Sequence, residues 1–122
     1  MVVSFVNSQT GHCLDSNTEG RVYTLPPNGR DYQKWVLVHV GNGEHNIRNV
    51  ATGRYLDSNH NGQVYTLPPN GGNYQKWWLQ DYKVINVATV LVLDCKECMN
   101  VNEGGFVFTN LKNEDNYQNW NR

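Results

Sequence analysis

Two acidic side chains, Asp15 and Asp57, stand 42 residues apart in the same company. Each is followed eight positions on by a tyrosine, Tyr23 or Tyr65, then by an Asn-Gly step carrying Asn28 or Asn70, then by a second tyrosine, Tyr32 or Tyr74. Asp15 lies one residue past apolar Leu14, and strand alternation turns it away from the face that Leu14 buries. A carboxylate so placed accepts from two adjacent hydroxyls at once, and charge-assisted hydrogen bonds are about twice as strong as neutral ones. An Asn amide both donates and accepts, and tyrosine rings offer flat apolar surface with a polar end. Leu25 and Leu67 are placed to close the wall. The set suits a ligand with hydroxyls on one edge and a C–H face. The competing reading is local: Asp15 and Asn28 bond neighbouring backbone and hold the loop, while Tyr23 or Tyr32 fills core. As solvent-facing groups, the carboxylates are expected to be dispensable for stability.

These residues ride on an internal repeat. Between Asn7–Trp35 and Asn49–Trp77, 20 of 29 positions are identical. A worn third copy follows, with Asn86-Val-Ala-Thr89, Leu93-Asp94, Gly105, Val107-Phe-Thr109, Asn113 and Tyr117-Gln-Asn-Trp120. Short apolar–polar alternations such as Val22 to Leu25 and Val64 to Leu67 read as strands, roughly four per copy and twelve in all. No window carries helical periodicity over three turns, so almost no helix is expected. Asn28-Gly29 and Asn70-Gly71 read as tight turns in which both residues accept positive φ, stiffened by Pro26-Pro27 and Pro68-Pro69. One such unit cannot bury its own apolar face. Three should share a core about a pseudo-threefold axis, with triplets Phe5, Ile47 and Val84; Leu14, Leu56 and Leu93; Val22, Val64 and Val107; and Trp35, Trp77 and Trp120. This predicts an all-β fold, a β-trefoil occupying residues 1–122 as a single domain with repeats near 1–42, 43–80 and 81–122. A propeller is the alternative, but three blades fall below the usual four to eight.

Gln-x-Trp closes each copy, at Gln33-Lys-Trp35, Gln75-Lys-Trp77 and Gln118-Asn-Trp120. Three of these at repeat spacing resemble the ricin B-type (R-type) β-trefoil lectins. The longer phrase from Leu14-Asp-Ser-Asn17 to Tyr32-Gln-Lys-Trp35, and its second copy, resembles the actinohivin-like lectins within that family. The resemblance implies a multivalent, non-catalytic carbohydrate-binding module. Its partners would be glycans or glycoproteins of high-mannose type, with α1,2-linked mannose as the sugar and galactose as the alternative. It implies that Asp15, Tyr23, Leu25, Asn28 and Tyr32, and Asp57, Tyr65, Leu67, Asn70 and Tyr74, form two sites, whereas Gln33 and Trp35 are structural, the Trp in the core and the Gln bonding backbone. No metal or other cofactor is implied.

The third copy keeps Asp94, Asn113 and Tyr117 but departs elsewhere. Asp94 to Phe108 spans 14 positions, so six residues have been inserted within Cys95–Gly105, and Asn110-Leu-Lys-Asn-Glu114 replaces the proline-stiffened turn. That site reads as weakened, altered or lost. In the first copy Arg30-Asp31 stands where the second has Gly72-Asn73. It reads first as a solvated pair at the rim, second as a contact to a hydroxyl or an acidic sugar.

Ten basic and eleven acidic residues are scattered, which argues against nucleic acid and anionic membranes as partners. No apolar run approaches a membrane span and no leader is evident; a secreted monomer is expected, its leader trimmed, with a cytoplasmic location as the alternative. Cys95-x-x-Cys98 fits half a zinc site, a redox pair, a disulfide in an oxidising compartment, or inert thiols. His12, His39, His45 and His60 share no repeat position and read as surface residues. Most glycosidases need two carboxyl groups about 5 to 9.5 Å apart, and the repeated motif carries a single Asp, as Asp15, Asp57 and Asp94. A protein-binding trefoil is the remaining reading, but such a surface has no reason to repeat the same Asp, Tyr and Asn.

Overall fold

The computed structural model describes residues 1–96 and 105–122. Thirteen strands form one continuous sheet among them. The first copy contributes β1 (Val2–Val3), β2 (Val6–Asn7), β3 (Cys13–Ser16), β4 (Val22–Leu25) and β5 (Trp35–Gly41). The second contributes β6 (Glu44–Asn49), β7 (Tyr55–Ser58), β8 (Val64–Leu67) and β9 (Trp77–Gln80). The third contributes β10 (Lys83–Asn86), β11 (Val92–Lys96), β12 (Gly105–Asn110) and β13 (Trp120–Asn121). The expected twelve become thirteen because the start of the chain splits into two two-residue strands.

The copies close into a ring. Trp35 pairs with Asn49, Trp77 with Asn86 and Trp120 with Asn7, so the Trp that ends each copy is registered against the Asn that opens the next. Those Asn side chains are fully buried and tie the copies again: Nδ2 of Asn49, Asn86 and Asn7 donates to the carbonyl of Tyr32, Tyr74 and Tyr117 at 2.9, 2.9 and 2.8 Å. A second set of ties joins the hairpins. Thr66 N–H donates to Gly20 O and Thr109 N–H to Gly62 O, both at 2.9 Å, and Gly105 pairs with Thr24. This threefold arrangement is a β-trefoil.

Inside the ring the four expected triplets meet in one core. Phe5, Ile47 and Val84, the three leucines and the three tryptophans have no solvent exposure. Val107 is buried, while Val22 and Val64 pack against the cluster half-exposed. Each tryptophan brings a polar N–H into this apolar centre, and a buried donor left unpaired costs about 1–3 kcal/mol. None is left unpaired: Nε1 of Trp35, Trp77 and Trp120 donates to the carbonyl of Leu14, Leu56 and Leu93 at 3.1, 3.0 and 3.1 Å.

The Pro-Pro-Asn-Gly segments differ from expectation. Only Gly29 and Gly71 take positive φ, at +72° and +73°, and the segment does not connect a hairpin. It leads into a single 3-10 turn, at Asp31–Gln33, Asn73–Gln75 and Asn116–Gln118. Asn28 Oδ1 starts that turn by accepting from Arg30 N at 2.9 Å.

Gly62 carries a sharper demand. It has φ +81°, and a Cβ there would lie 2.8 Å from Thr109 O, where the second copy meets the third. Gly11, at φ +74°, faces open space. Gly11→Ala should cost about 1–2 kcal/mol from left-handed strain alone. Gly62→Ala should cost about 1–3 kcal/mol more, because backbone must move; equal urea midpoints for the two variants would contradict the close packing of copies here.

Candidate functional site

The site is built by hairpin register. Asp15 faces Tyr23 across β3–β4, Asp57 faces Tyr65 across β7–β8, and Asp94 faces Phe108 across β11–β12. The six-residue insertion of the third copy therefore leaves the pairing of Asp94 with Phe108 in the register of the other two copies. Residues 97–104, which include Cys98 of the Cys-x-x-Cys pair, lie outside the described residues.

The carboxylates are not the free, outward groups that alternation suggests. Asp15, Asp57 and Asp94 are 3%, 2% and 4% exposed. The side of the hairpin opposite the core is roofed by the loop that the 3-10 turn draws over it, and a buried glutamine welds the two. Gln33 Nε2 donates to Asp15 Oδ2 at 2.9 Å and to Pro26 O at 3.1 Å, while its Oε1 accepts from Asn28 N at 3.0 Å. Gln75 makes the same bonds to Asp57 Oδ2, Pro68 O and Asn70 N, each at 3.0 Å. Gln118 repeats them with Asp94 Oδ2, Leu111 O and Asn113 N at 3.0, 2.8 and 2.8 Å. The expected backbone role accounts for two of each glutamine's three bonds, and the third goes to the aspartate. Oδ1 of Asp15 and of Asp57 also accepts from the next residue's N–H, Ser16 or Ser58, at 2.8 Å.

Burial holds the Asp15 and Asp57 carboxyls above the ordinary carboxylate value, against the pull of the glutamine, the serine N–H and, at Asp15, the Arg30 charge. Burial first, then the neighbouring carboxylate, also pushes the Tyr23 and Tyr65 phenols up.

Around Asp15 lies an open cavity of about 190 Å³, lined by Asp15, Tyr23, Asn28, Tyr32, Ser16, Asn17, Thr18 and Arg30. It is smaller than the roughly 300–1,000 Å³ of sites for drug-sized ligands, a scale that suits one ring. Four of the five residues expected of the first cup line it. Leu25 does not: it lines a larger cavity on the far side of Tyr23, beside Val22 and Phe106, and its counterpart Leu67 is exposed. Ser16, Asn17 and Thr18 were missed, although Ser16-Asn17 recurs identically as Ser58-Asn59. Tyr23 is half-buried, its hydroxyl donating to Ser16 O at 3.3 Å, whereas Tyr32 stays exposed on the 3-10 turn.

The second copy places Asp57, Tyr65, Asn70 and Tyr74 in the equivalent positions, and His60, in the place of Thr18, stands edge-on to Tyr74 at 5.6 Å. In the third, Asp94, Asn113 and Tyr117 keep the glutamine framework beside Phe108. The histidines are not uniformly surface groups, since Nδ1 of His12 and His45 is buried. Among the described residues no His/Cys/Asp/Glu group is placed to hold a metal. Cys95 is disulfide-bonded and Cys13 is free and buried.

The ricin-type beta-trefoil lectin domain-like family matches this chain over residues 2–61 and again over 31–111. The chain belongs to that family. Among solved structures, this ricin-type trefoil is similar to ThreeFoil, a designed threefold-symmetric protein, at 25% identity and a TM-score of 0.87 over 98% of this chain and 95% of that one. It has the fold of the C-half of an earthworm R-type lectin solved in complex with GalNAc, at 16% identity and a TM-score of 0.77 over 98% and 95%. It also has the fold of part of an exo-β-1,3-galactanase from Clostridium thermocellum, at 24% identity and a TM-score of 0.84; 96% of this chain aligns with 28% of that enzyme's length.

The roofed carboxylates overturn the expectation that they are dispensable for the fold. Asp15→Ala leaves Gln33 Nε2 short of its acceptor and should cost about 1–3 kcal/mol, as should Gln33→Leu. The raised carboxyls also fix a sign. A group whose folded pKa is raised contributes stability that is full below the unfolded value, near 3.8, and is lost as pH rises through the folded value. The stability advantage of wild type over Asp15→Ala/Asp57→Ala should therefore shrink as pH rises from strongly to weakly acid, measured by urea unfolding at each pH; a gap that widens would contradict the burial.

Proposed function

We propose that this ricin-type trefoil is a multivalent lectin that binds terminal mannose of high-mannose glycans, α1,2-linked, through two intact cups and a third, degenerate one. The lectin family and the lectin neighbours support carbohydrate binding; the sugar is inferred from the likeness of the repeated phrase to the actinohivin-like lectins. The observation that carries the reading is the twice-built cup itself. A carboxylate oriented by a buried glutamine, an Asn on an Asx turn and an exposed tyrosine ring recur at Asp15, Asn28, Tyr32 and at Asp57, Asn70, Tyr74.

Binding without turnover follows from the same inventory. The residues around the first cavity include one carboxylate, and the acid–base pair of a glycosidase needs two. A shallow single-ring site has a dissociation constant of roughly 0.1–1 mM. Cups on separate copies of one rigid body raise avidity for a branched glycan by about 10² to 10⁴ when the branches span them. The chain acts, on this reading, as a monomer on glycoproteins outside the reducing cytosol, which the Cys95 disulfide favours. Among the described residues no helix is long and apolar enough to cross a membrane.

Tyr32→Ala combined with Tyr74→Ala is the clean test, because both rings are more than one-third exposed and lie outside the Gln–Asp bonds. On a glycan array the wild type should favour high-mannose structures, while the double variant should lose at least about tenfold in affinity and still unfold in one cooperative urea transition. Undiminished binding by the variant would refute the cups as the site, and a wild-type preference for galactose-terminated glycans would overturn mannose.

A further inference from the structure

The two intact cups are not copies in charge. Position 30 of the first is Arg, its equivalent in the second is Gly72, and in the third it is Asp115. All three have the same extended backbone just ahead of the 3-10 turn, with φ/ψ of −82°/157°, −79°/159° and −75°/143°. The side chain alone differs. The expected rim pair between Arg30 and Asp31 does not form, because Asp31 is the first residue of the 3-10 turn and bonds Lys34 at 3.3 Å, three residues on. Among the described residues Arg30 makes no ion pair, and it lines the first cavity. It shares that cavity with Tyr23 and Tyr32 and lies within electrostatic reach of Asp15.

We propose that the first cup selects saccharides bearing an anionic substituent, a carboxylate or a sulfate, which Arg30 receives at the rim while Asp15 and Asn28 hold neutral hydroxyls of the same ring. The second cup, with Gly72 and with His60 against Tyr74, takes the neutral sugar. This rests on the lectin reading above and deepens it: both cups take the neutral mannose ring, and Arg30 adds to the first a preference for the same ring bearing an anionic group. A guanidinium presents a planar fork of N–H donors that matches a carboxylate or sulfate edge, and an exposed rim leaves the contact open to screening by salt. Asp115 gives the third copy the opposite charge at this place.

The backbone makes the assignment transferable. Gly72 has no positive φ, and a Cβ added there would meet only Asn70 Oδ1 at 3.1 Å, a side-chain atom whose counterpart in Asn28 already coexists with Arg30. Gly72→Arg and Arg30→Gly are therefore both tolerable exchanges.

The test is calorimetric titration of single-cup proteins, with Tyr74→Ala to isolate the first cup and Tyr32→Ala to isolate the second. The probes are methyl α-mannoside, its uronate and its positional monosulfates. The first cup should bind at least one anionic probe roughly fivefold tighter than the neutral parent, a margin of the size an exposed charge pair provides, and the preference should fade at high salt. Arg30→Gly should bring the affinities for the anionic and neutral probes together, and Gly72→Arg should confer the preference on the second cup. Neutral binding by the first cup with no anionic preference would overturn this inference and leave the lectin reading standing. Failure of both cups to bind any probe would overturn both.

Discussion

One hydrogen bond joins the fold to the surface it presents: Gln Nε2 to Asp Oδ2, made three times at 2.9–3.0 Å under a loop. The glutamine is two residues from a tryptophan in the core, and the aspartate is one residue past a leucine in the core. The tryptophan N–H grips that leucine's carbonyl, at 3.1 Å from Trp35 to Leu14. Two points of contact between the same two segments leave little freedom for the carboxylate. The spacing Gln-x-Trp is what allows one short segment to hold the core with one side chain and the cup with the other. A buried polar network of this kind is stabilising only when each member is satisfied. The cup is rigid because its components are also structural.

The ring closure extends that constraint across copies. Asn49 opens the second copy, yet its side chain holds the Tyr32 carbonyl of the first and accepts from its own Ala51 and Thr52 N–H groups. The tyrosine that faces the cavity is thus positioned by a residue of the neighbouring copy. Asn7 does the same for Tyr117 at 2.8 Å, where the end of the chain returns to its start. No copy completes its own cup, a physical reason for a symmetric body to retain the framework in its third copy, where Asn110-Leu111-Lys112 has replaced the proline-stiffened turn.

Much of this was legible in the amino-acid order and some was not. The core triplets read out directly, because apolar positions recurring at repeat spacing have one consistent explanation. The hairpins were not legible: Asn28-Gly29 and Asn70-Gly71 read as their turns, whereas the chain turns between Ser16 and Val22 and between Ser58 and Val64, where no Pro marks the place and the first copy has no Asn-Gly step. Alternation misplaced Asp15: it shows which side of the strand a residue occupies and is blind to a loop folded over that side by Gln33, 18 residues away. The same blindness put Leu25 in the cup. The Arg30–Asp31 pair was misread because a three-residue 3-10 turn carries no periodicity, and it is this turn that brings Asp31 to Lys34. Ser16 and Asn17 were visible as identities but lacked distinctive chemistry of their own.

The central claim is that the buried glutamines couple the core to the cups. It is tested most directly by nuclear magnetic resonance of their side-chain NH₂ groups during titration with methyl α-mannoside. The account predicts that Gln33, Gln75 and Gln118 exchange slowly with solvent in the free protein, and that Gln33 and Gln75 shift on saturation while Gln118 stays nearly still. Rapid exchange like that of surface amides, or binding that leaves Gln33 and Gln75 unmoved, would contradict it.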